Sequence, residues 1–396
     1  MRGRHAIIRT CATGERPMTL GESDAALVSI AEAFDLPGRI RSLEPLGSGN
    51  VNESFVVVCD GPPERRFVLQ RLNRRVFPRP DLVMANILAL GEHVDRRLAQ
   101  GGSPLGERRW EVPRVVRCRG DQRPWVERDG AFWRLITFIE SSRSFDVVAS
   151  AAQAREVGFG LGVFHHLISD LPPAGLADTL EGFHITPRYL EHYDAVLAKA
   201  PAAVVNEVLH CLAFVDERRD FASVLEAARD SGQLRLRPIH GDPKVNNVMM
   251  EACSGRACAL VDLDTVKPGL IHYDIGDCLR SCCNPLGEET ADLEAVSFDI
   301  DLCREVLSGY LAAASGFLTA ADYDHLYAAV RLISFELGLR FLTDHLAGNV
   351  YFRTDQPGHN LQRALVQFRL TESIEAQEIQ IQDLIAELRA DLAPGC

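Results

Sequence analysis

The stretch Ile239-His240-Gly241-Asp242-Pro243-Lys244-Val245-Asn246-Asn247 decides how this chain is read. Leu234 to Ile239 before it predicts a strand, and Gly-Asp-Pro then turns the chain. Asn247 stands five residues after Asp242, and twenty residues after Asp242 comes a second acid among apolar neighbours, in Ala259-Leu260-Val261-Asp262-Leu263-Asp264. Cys253-Ser254-Gly255-Arg256 reads as a turn, so Asn247 to Met250 and Ala257 to Val261 can pair as a hairpin. That pairing gathers Asp242, Asn247 and Asp262 around one point. Taken singly, Gly-Asp and Asp-Pro are ordinary loop pairs, with Asp242 capping a turn and Asp262 ending a buried strand. The set in this order is what favours chemistry.

One carboxylate can take a proton from a hydroxyl, while an amide oxygen and a second carboxylate hold Mg²⁺, a hard cation that wants oxygen ligands. Protein kinases assemble phosphoryl transfer from these parts. A phosphate loop is expected upstream, and Leu46-Gly47-Ser48-Gly49-Asn50-Val51-Asn52 lies between two predicted strands. Gly47 and Gly49 would let backbone amides approach phosphate oxygens. A strand follows this loop instead of a helix, and Asn52 replaces the third glycine, so it is no dinucleotide fingerprint. By itself it reads as a hairpin turn. On the next strand, Phe67 to Asn73, Arg71 shares a face with Phe67 and Leu69 and is the candidate cation for the α- and β-phosphates. Its plain alternative is a solvent-facing Arg on an edge strand. No acidic partner for it stands out on the following helix, where Glu92 is the central acid and Asn86 is nearby.

Working outward, Ser23 or Asp24 can cap a short helix that ends at Leu36-Pro37-Gly38. Ser54 to Cys59 and Phe67 to Leu72 flank an Asp-Gly-Pro-Pro turn and predict a hairpin; Val112–Arg117, Trp125–Glu127 and Phe132–Ile139 predict three more strands, and Asp81–Arg97 a helix between the two groups. Beyond about residue 140 the period becomes helical, over 149–169, 187–200, 203–229, 299–313, 321–347 and 371–391, with short strands around 235–265. The expected fold class is therefore α+β and bilobal: a small antiparallel β-rich N-terminal lobe over 21–140 and a larger helical lobe over 141–396, after a tail of about residues 1–20.

The composition agrees. The chain has 396 residues, 46% hydrophobic and 24% charged, which excludes a disordered chain, a fibrous repeat or a disulfide-stapled minidomain. Its net charge of −13 argues against a general nucleic-acid binder. Eleven cysteines occur without a CxxC pair, so reduced, mostly buried thiols are expected in place of a zinc ribbon. The first 18 residues carry no apolar core of a secretory signal, Met18 is an alternative start, and no apolar run reaches the ~18 residues of a membrane span. The expectation is a cytoplasmic protein, with no membrane partner and its oligomeric state open between monomer and dimer.

LGSGNVNESF, FVLQRLN, WRLITFIE, HGDPKVNNVMM, ALVDLDTVKPGLIHYDIGDCLR and RFLTDHLAGNVYFRTDQPGHNLQRALVQ carry a resemblance over residues 46 to about 375. The chain resembles the aminoglycoside phosphotransferase and choline kinase superfamily, of kinase-like fold, and within it the anomeric N-acetylhexosamine 1-kinases. The resemblance implies Asp242 as catalytic base, Lys244 as a γ-phosphate contact, Asn247 and Asp262 as Mg²⁺ ligands, and Asp264 near a second metal. It implies Phe138, Ile139 and Glu140 as the hinge whose backbone meets adenine, and Asp274 as a structural acid, expected to cap its own helix. It assigns no chemistry to His240. Arg71 where a Lys is usual puts the familiar Lys–Glu pair in doubt.

On residues 331–347, Arg340 and Asp344 lie one helical turn apart, which alone reads as an exposed ion pair, with Glu336 also in reach of Arg340. The resemblance makes Arg340, Asp344 and Tyr351 candidates to hold sugar hydroxyls or an acetamido group. His165, His166, Phe159 and Phe164 read as helix packing, and 371–391 as a docked helix. The function expected is an ATP- and Mg²⁺-dependent kinase acting on the C1 hydroxyl of an N-acetylhexosamine or related sugar. The alternatives are another small alcohol as acceptor (an aminoglycoside, choline, homoserine) or a nucleotide-binding module without catalysis. A cationic acceptor would need a cluster of acids facing Asp242 from the helical lobe.

Overall fold

A computed structural model describes residues 22–47, 51–101, 104–201 and 208–392; Gly49 and the expected tail lie outside the described residues. After helix α1 (Glu22–Ala31), strands β1 (Ile40–Pro45), β2 (Glu53–Cys59) and β3 (Arg65–Leu72) run antiparallel. Helix α2 (Pro80–Gln100) follows, then β4 (Val115–Val116), β5 (Val126–Arg128) and β6 (Ala131–Thr137). The sheet order is β1-β2-β3-β6-β4, with β5 also on β6.

Period-two alternation gives this sheet two different faces. Val57, Phe67, Leu69, Trp133 and Leu135 point to one side, where Ile30 and Phe34 at the end of α1 cover them. Leu72 and Phe132 point to the other, where they join Met84, Ile87 and Leu90 of α2 in the main core. Leu69 and Leu135 are fully buried, so truncating either to Ala would cost about 2–5 kcal/mol.

The chain crosses from the sheet through Phe138–Glu140 into the helical part. Strand β7 (Ser142–Arg143) leads to α3 (Ala151–Ile168), which starts where the Ser150 hydroxyl accepts the Gln153 amide. Helix α4 (Thr186–Leu197), short helices α5 (Leu209–Asp216) and α6 (Val224–Asp230), and strand β8 (Arg237–Ile239) come next. Strands β9 (Val248–Glu251) and β10 (Ala257–Leu260) form the expected hairpin, and β11 (Lys267–Gly269) pairs back on β8. Helices α7 (Ile271–Cys282), α8 (Ile300–Ala314), α9 (Ala320–Asp324), α10 (Leu326–Leu346), α11 (His359–Ala376) and α12 (Glu378–Asp391) complete the fold. The mixed α+β class and its division into an antiparallel sheet followed by helices agree with the sequence.

Three expected helices are interrupted. Within 203–229 the described part breaks at a 3-10 turn, Arg219–Ser223, where Arg219 leaves the helix to reach Asp194 at 2.6 Å. The segment 321–347 breaks at His325, after a capping box between Thr319 and Asp322. The segment 371–391 breaks at Gln377, whose Nε2 donates to the Phe298 carbonyl at 2.8 Å. Ile374, Ile381 and Ile385 are buried on either side of that break, so this end of the chain is docked as expected.

Helices α3 and α8 touch at backbone distance. A Cβ on Gly158 would stand 1.9 Å from the Val306 carbonyl oxygen, and one on Gly309 equally close to that of Arg155. This approach sets His165 of α3 against Tyr310 of α8, directly behind β8.

Candidate active site

Asp242 sits on the loop between β8 and a 3-10 turn at Val245–Asn247. Gly241 before it holds φ = 87°, and a Cβ there would meet the Thr265 carbonyl oxygen at 2.8 Å, so no other residue fits. Asp274 on α7 fixes this loop. Its two carboxylate oxygens accept the backbone amides of His240 at 2.7 Å and Gly241 at 2.8 Å, and His165 Nε2 donates to it at 2.8 Å. Burial opposes ionisation, but the hydrogen bond from His165 and the backbone donors hold the Asp274 carboxyl below the usual carboxylate range. Asp274 is thus a structural acid, but it does not cap its own helix as expected; it binds the backbone of a loop more than thirty residues earlier.

His240, left without a role by the sequence, ties the two acidic loops together. The Asp242 amide donates to its Nδ1 at 3.2 Å, which places the proton on Nε2 and lets that atom donate to the Val261 carbonyl at 2.9 Å. Burial lowers its pKa, consistent with this neutral tautomer. Asn247 Nδ2 donates to the Asp242 carbonyl at 2.7 Å and to its carboxylate at 3.2 Å, and the Val261 amide donates to the Asn247 carbonyl at 2.9 Å. Asp242, Asn247 and Asp262 are therefore brought together. Lys244 Nζ lies 2.7 Å from Asp242 Oδ2. Desolvation opposes its charge, yet the carboxylates of Asp242 and Asp262 hold its pKa above the usual lysine value.

Asp262 adopts a left-handed backbone, φ = 63°, with its side chain open to the solvent of the cleft. Enclosure by protein, and then the negative charges of Asp264 and Asp242, push its carboxyl up to about 7. An ion in the cleft can reach it. The donor chemistry suits Mg²⁺: the Asn247 amide nitrogen serves Asp242, which leaves its Oδ1 as the outward acceptor, and Asp262 is a crowded carboxylate that a cation would relieve. Among the described residues no three His, Cys, Asp or Glu side chains form a self-contained metal cage. A cation that shares its shell with phosphate oxygens needs none.

Two expected site residues are elsewhere in character. Arg71 does share a face with Phe67 and Leu69, but that face looks toward α1, and Arg71 lies exposed at its end beside Glu53 at 3.3 Å. The sheet cation on the cleft side is Arg134 of β6, on the opposite face, buried and paired with Asp264, while its Nε and Nη2 donate to Gln70 at 2.9 and 2.7 Å. Alternation alone could have flagged Arg134, the polar residue between Trp133 and Leu135. Asp264 in turn is consumed: besides Arg134 it accepts from Asn52 Nδ2 at 2.6 Å, so it is not a free carboxylate for a second metal. Asn86 of α2 stands where an acid was sought and donates to the Ala177 and Val266 carbonyls, both at 2.8 Å.

Gly47 turns the upstream loop with φ = 62°. In the crossing segment, Arg66 stacks on Phe138 and pairs with Glu140, the Glu140 carbonyl accepts from Arg109 at 2.8 Å, and Ile139 is buried against Cys258 and Ala259.

On the far side of Asp242, Arg340 of α10 is enclosed by the rings of Phe183, Tyr189 and Phe352 at 5.1–5.5 Å and approaches Glu336 at 3.9 Å. Desolvation opposes its charge, but Tyr189, Tyr351, Glu336 and Asp242 all favour it. Asp344, expected to touch substrate, is buried. It accepts the amides of Val350, Tyr351 and Phe352 at 2.8–2.9 Å and the Asn360 side chain at 2.9 Å. Its oxygens are used in shaping the loop that carries the exposed Tyr351. The neighbouring acids are also engaged: Glu336 by His184 and Thr186, Asp277 and Glu288 by Arg280.

The sequence matches the phosphotransferase enzyme family over residues 42–312. Among solved structures, the microcompartment-associated aminopropanol kinase superposes with a TM-score of 0.59 at 16% identity, covering 90% of this chain and 98% of that one. Choline kinase from Cryptosporidium parvum gives 0.56 at 13% identity, over 92% and 99% of the two chains. An aminoglycoside phosphotransferase from Alicyclobacillus acidocaldarius gives 0.51 at 17% identity, over 97% and 99%. At these identities the likeness is one of fold.

Proposed function

This chain belongs to the phosphotransferase enzyme family, a phosphotransferase acting on a hydroxyl of a small molecule, and from that premise we propose that it moves the γ-phosphoryl group of Mg·ATP to the C1 hydroxyl of an N-acetylhexosamine or related sugar. Asp242 orients the acceptor hydroxyl and takes its proton as the bond to phosphorus forms. Lys244, held protonated, faces the charge that spreads over the transferring oxygens. Asn247 and Asp262 would hold Mg²⁺, which neutralises the phosphates when bound. Positioning and fixed charge carry most of the rate in such a transfer.

The observation that favours a sugar is Arg340. It brings a caged guanidinium to the acceptor side of Asp242, while the nearby acids Glu336, Asp344, Asp277 and Glu288 are each already paired. A choline-like or polyamine acceptor needs uncommitted carboxylates there, and it would be repelled by Arg340. A neutral, hydroxyl-rich acceptor finds donors and aromatic faces.

The test is a panel of N-acetylhexosamines, hexoses, amino alcohols and aminoglycosides with Mg·ATP, with the product followed by phosphorus NMR. A sugar whose phosphate couples to the anomeric proton is expected. Turnover of choline or kanamycin without any sugar turnover would refute the reading. Arg340→Ala should raise the acceptor KM about tenfold or more, the effect of losing one charged contact, and leave that of Mg·ATP unchanged.

A further inference from the structure

His184 lies just ahead of α4 with a left-handed backbone, φ = 64°, and is buried behind the catalytic loop. Its Nδ1 is 2.9 Å from Glu336 Oε1 and its Nε2 is 2.8 Å from the carbonyl oxygen of Gly241, the residue before Asp242. A carbonyl oxygen only accepts, so Nε2 must carry a proton. Glu336 already accepts the Thr186 hydroxyl at 2.8 Å on Oε2, and its Oε1 also faces the Arg340 guanidinium at 3.9 Å, so both of its oxygens serve as acceptors. Nδ1 must then donate as well.

We propose that His184 is a permanent imidazolium that positions the Asp242 loop and couples it, through Glu336, to Arg340 on the acceptor side. This rests on Asp242 being the base and not on which acceptor is used.

The surroundings agree. The ring of Tyr273 on α7 stacks on His184 at 5.3 Å and 22°, and Phe183 covers it at 4.0 Å, contacts that favour a cation. The charged groups facing it are Glu336 and Arg340 from α10; the Tyr273 hydroxyl is turned away to Glu226 of α6. Burial opposes the charge of His184, but Glu336 outweighs it and raises the pKa.

Nitrogen NMR of the full chain labelled at histidine tests the charge directly, the His184 signals being those missing from His184→Gln. Two protonated ring nitrogens at neutral pH are expected; a neutral tautomer would overturn the proposal. His184→Gln keeps a donor but no charge, and should lower kcat roughly 10- to 100-fold with the Mg·ATP KM within about twofold. An unchanged kcat would overturn the positioning role. Should that variant not fold, Glu336→Gln serves: His184 should then titrate near neutrality and activity fall as pH rises through that value, whereas a flat profile would count against the coupling. Asp242→Asn is assayed alongside, because full activity there would fail the base assignment itself while leaving the NMR result standing.

Discussion

Asn52 Nδ2 lies 2.6 Å from Asp264 Oδ2, joining the loop before β2 to the loop after β10 across more than two hundred residues. The same Asn52 accepts the Asn73 amide at 2.9 Å, and the same Asp264 is paired with Arg134. One carboxylate thus fastens the glycine-containing loop and the sheet to the acidic floor of the cleft. Asn52→Ala should cost about 1.5 kcal/mol of that closure, raising the Mg·ATP KM roughly tenfold with little change in the acceptor KM. Steady-state kinetics in both substrates checks this, and an unmoved nucleotide KM would show that the contact does not serve the nucleotide.

Metal binding should depend on pH with Asp262 as the proposed Mg²⁺ ligand. Its carboxyl, pushed up to about 7, is largely protonated below that value, and only the ionised form binds a cation well. Apparent Mg²⁺ affinity should therefore rise as pH rises through about 7. The sign for stability is opposite: a raised folded-state pKa favours the metal-free fold at low pH, and that contribution is lost between the ordinary carboxylate range and about 7. Melting curves with and without Mg²⁺ should show a larger gain in Tm above that value than below it. An equal gain on both sides would remove Asp262 from the metal set.

Asp242→Asn should lower turnover by about 10² to 10⁴, the usual worth of a positioned base, while calorimetry still detects Mg·ATP binding. Near-normal turnover would sink the base assignment.

Asp344 should behave as a structural residue. Asp344→Ala strips the acceptor from three backbone amides and from Asn360, all in a buried place, and should cost about 3 kcal/mol or more in a urea melt. An unchanged melt with a raised acceptor KM would restore the substrate contact that the sequence suggested.

Much of the site was legible because its signals are local. Gly241-Asp242 with Asn247 five residues on, followed by a hairpin leading to Asp262, leaves the backbone little freedom to place those three side chains apart. Helix breaks were less legible, since the Gln377 break depends on the Phe298 carbonyl, and the turn at Arg219 on Asp194. His184 and His240 were invisible as positioning residues: each acts through carbonyl groups that only the folded chain brings to it.

Arg71 and Arg134 mark where sequence reading stops. Alternation along a strand reports which residues share a face, and it placed Arg71 with Phe67 and Leu69 correctly. Which face meets the catalytic loop is decided by where α1 and α2 pack, and that put Arg134 on the cleft side and left Arg71 at the rim. The class of fold and the order of the acidic residues are properties of short stretches of chain. Which carboxylates stay free for chemistry is not, because Asp264 is taken by Arg134 of the sheet and Asn52 just before β2, and Asp344 by backbone amides of the loop after its own helix, and a carboxylate is available only when no such donor has reached it first.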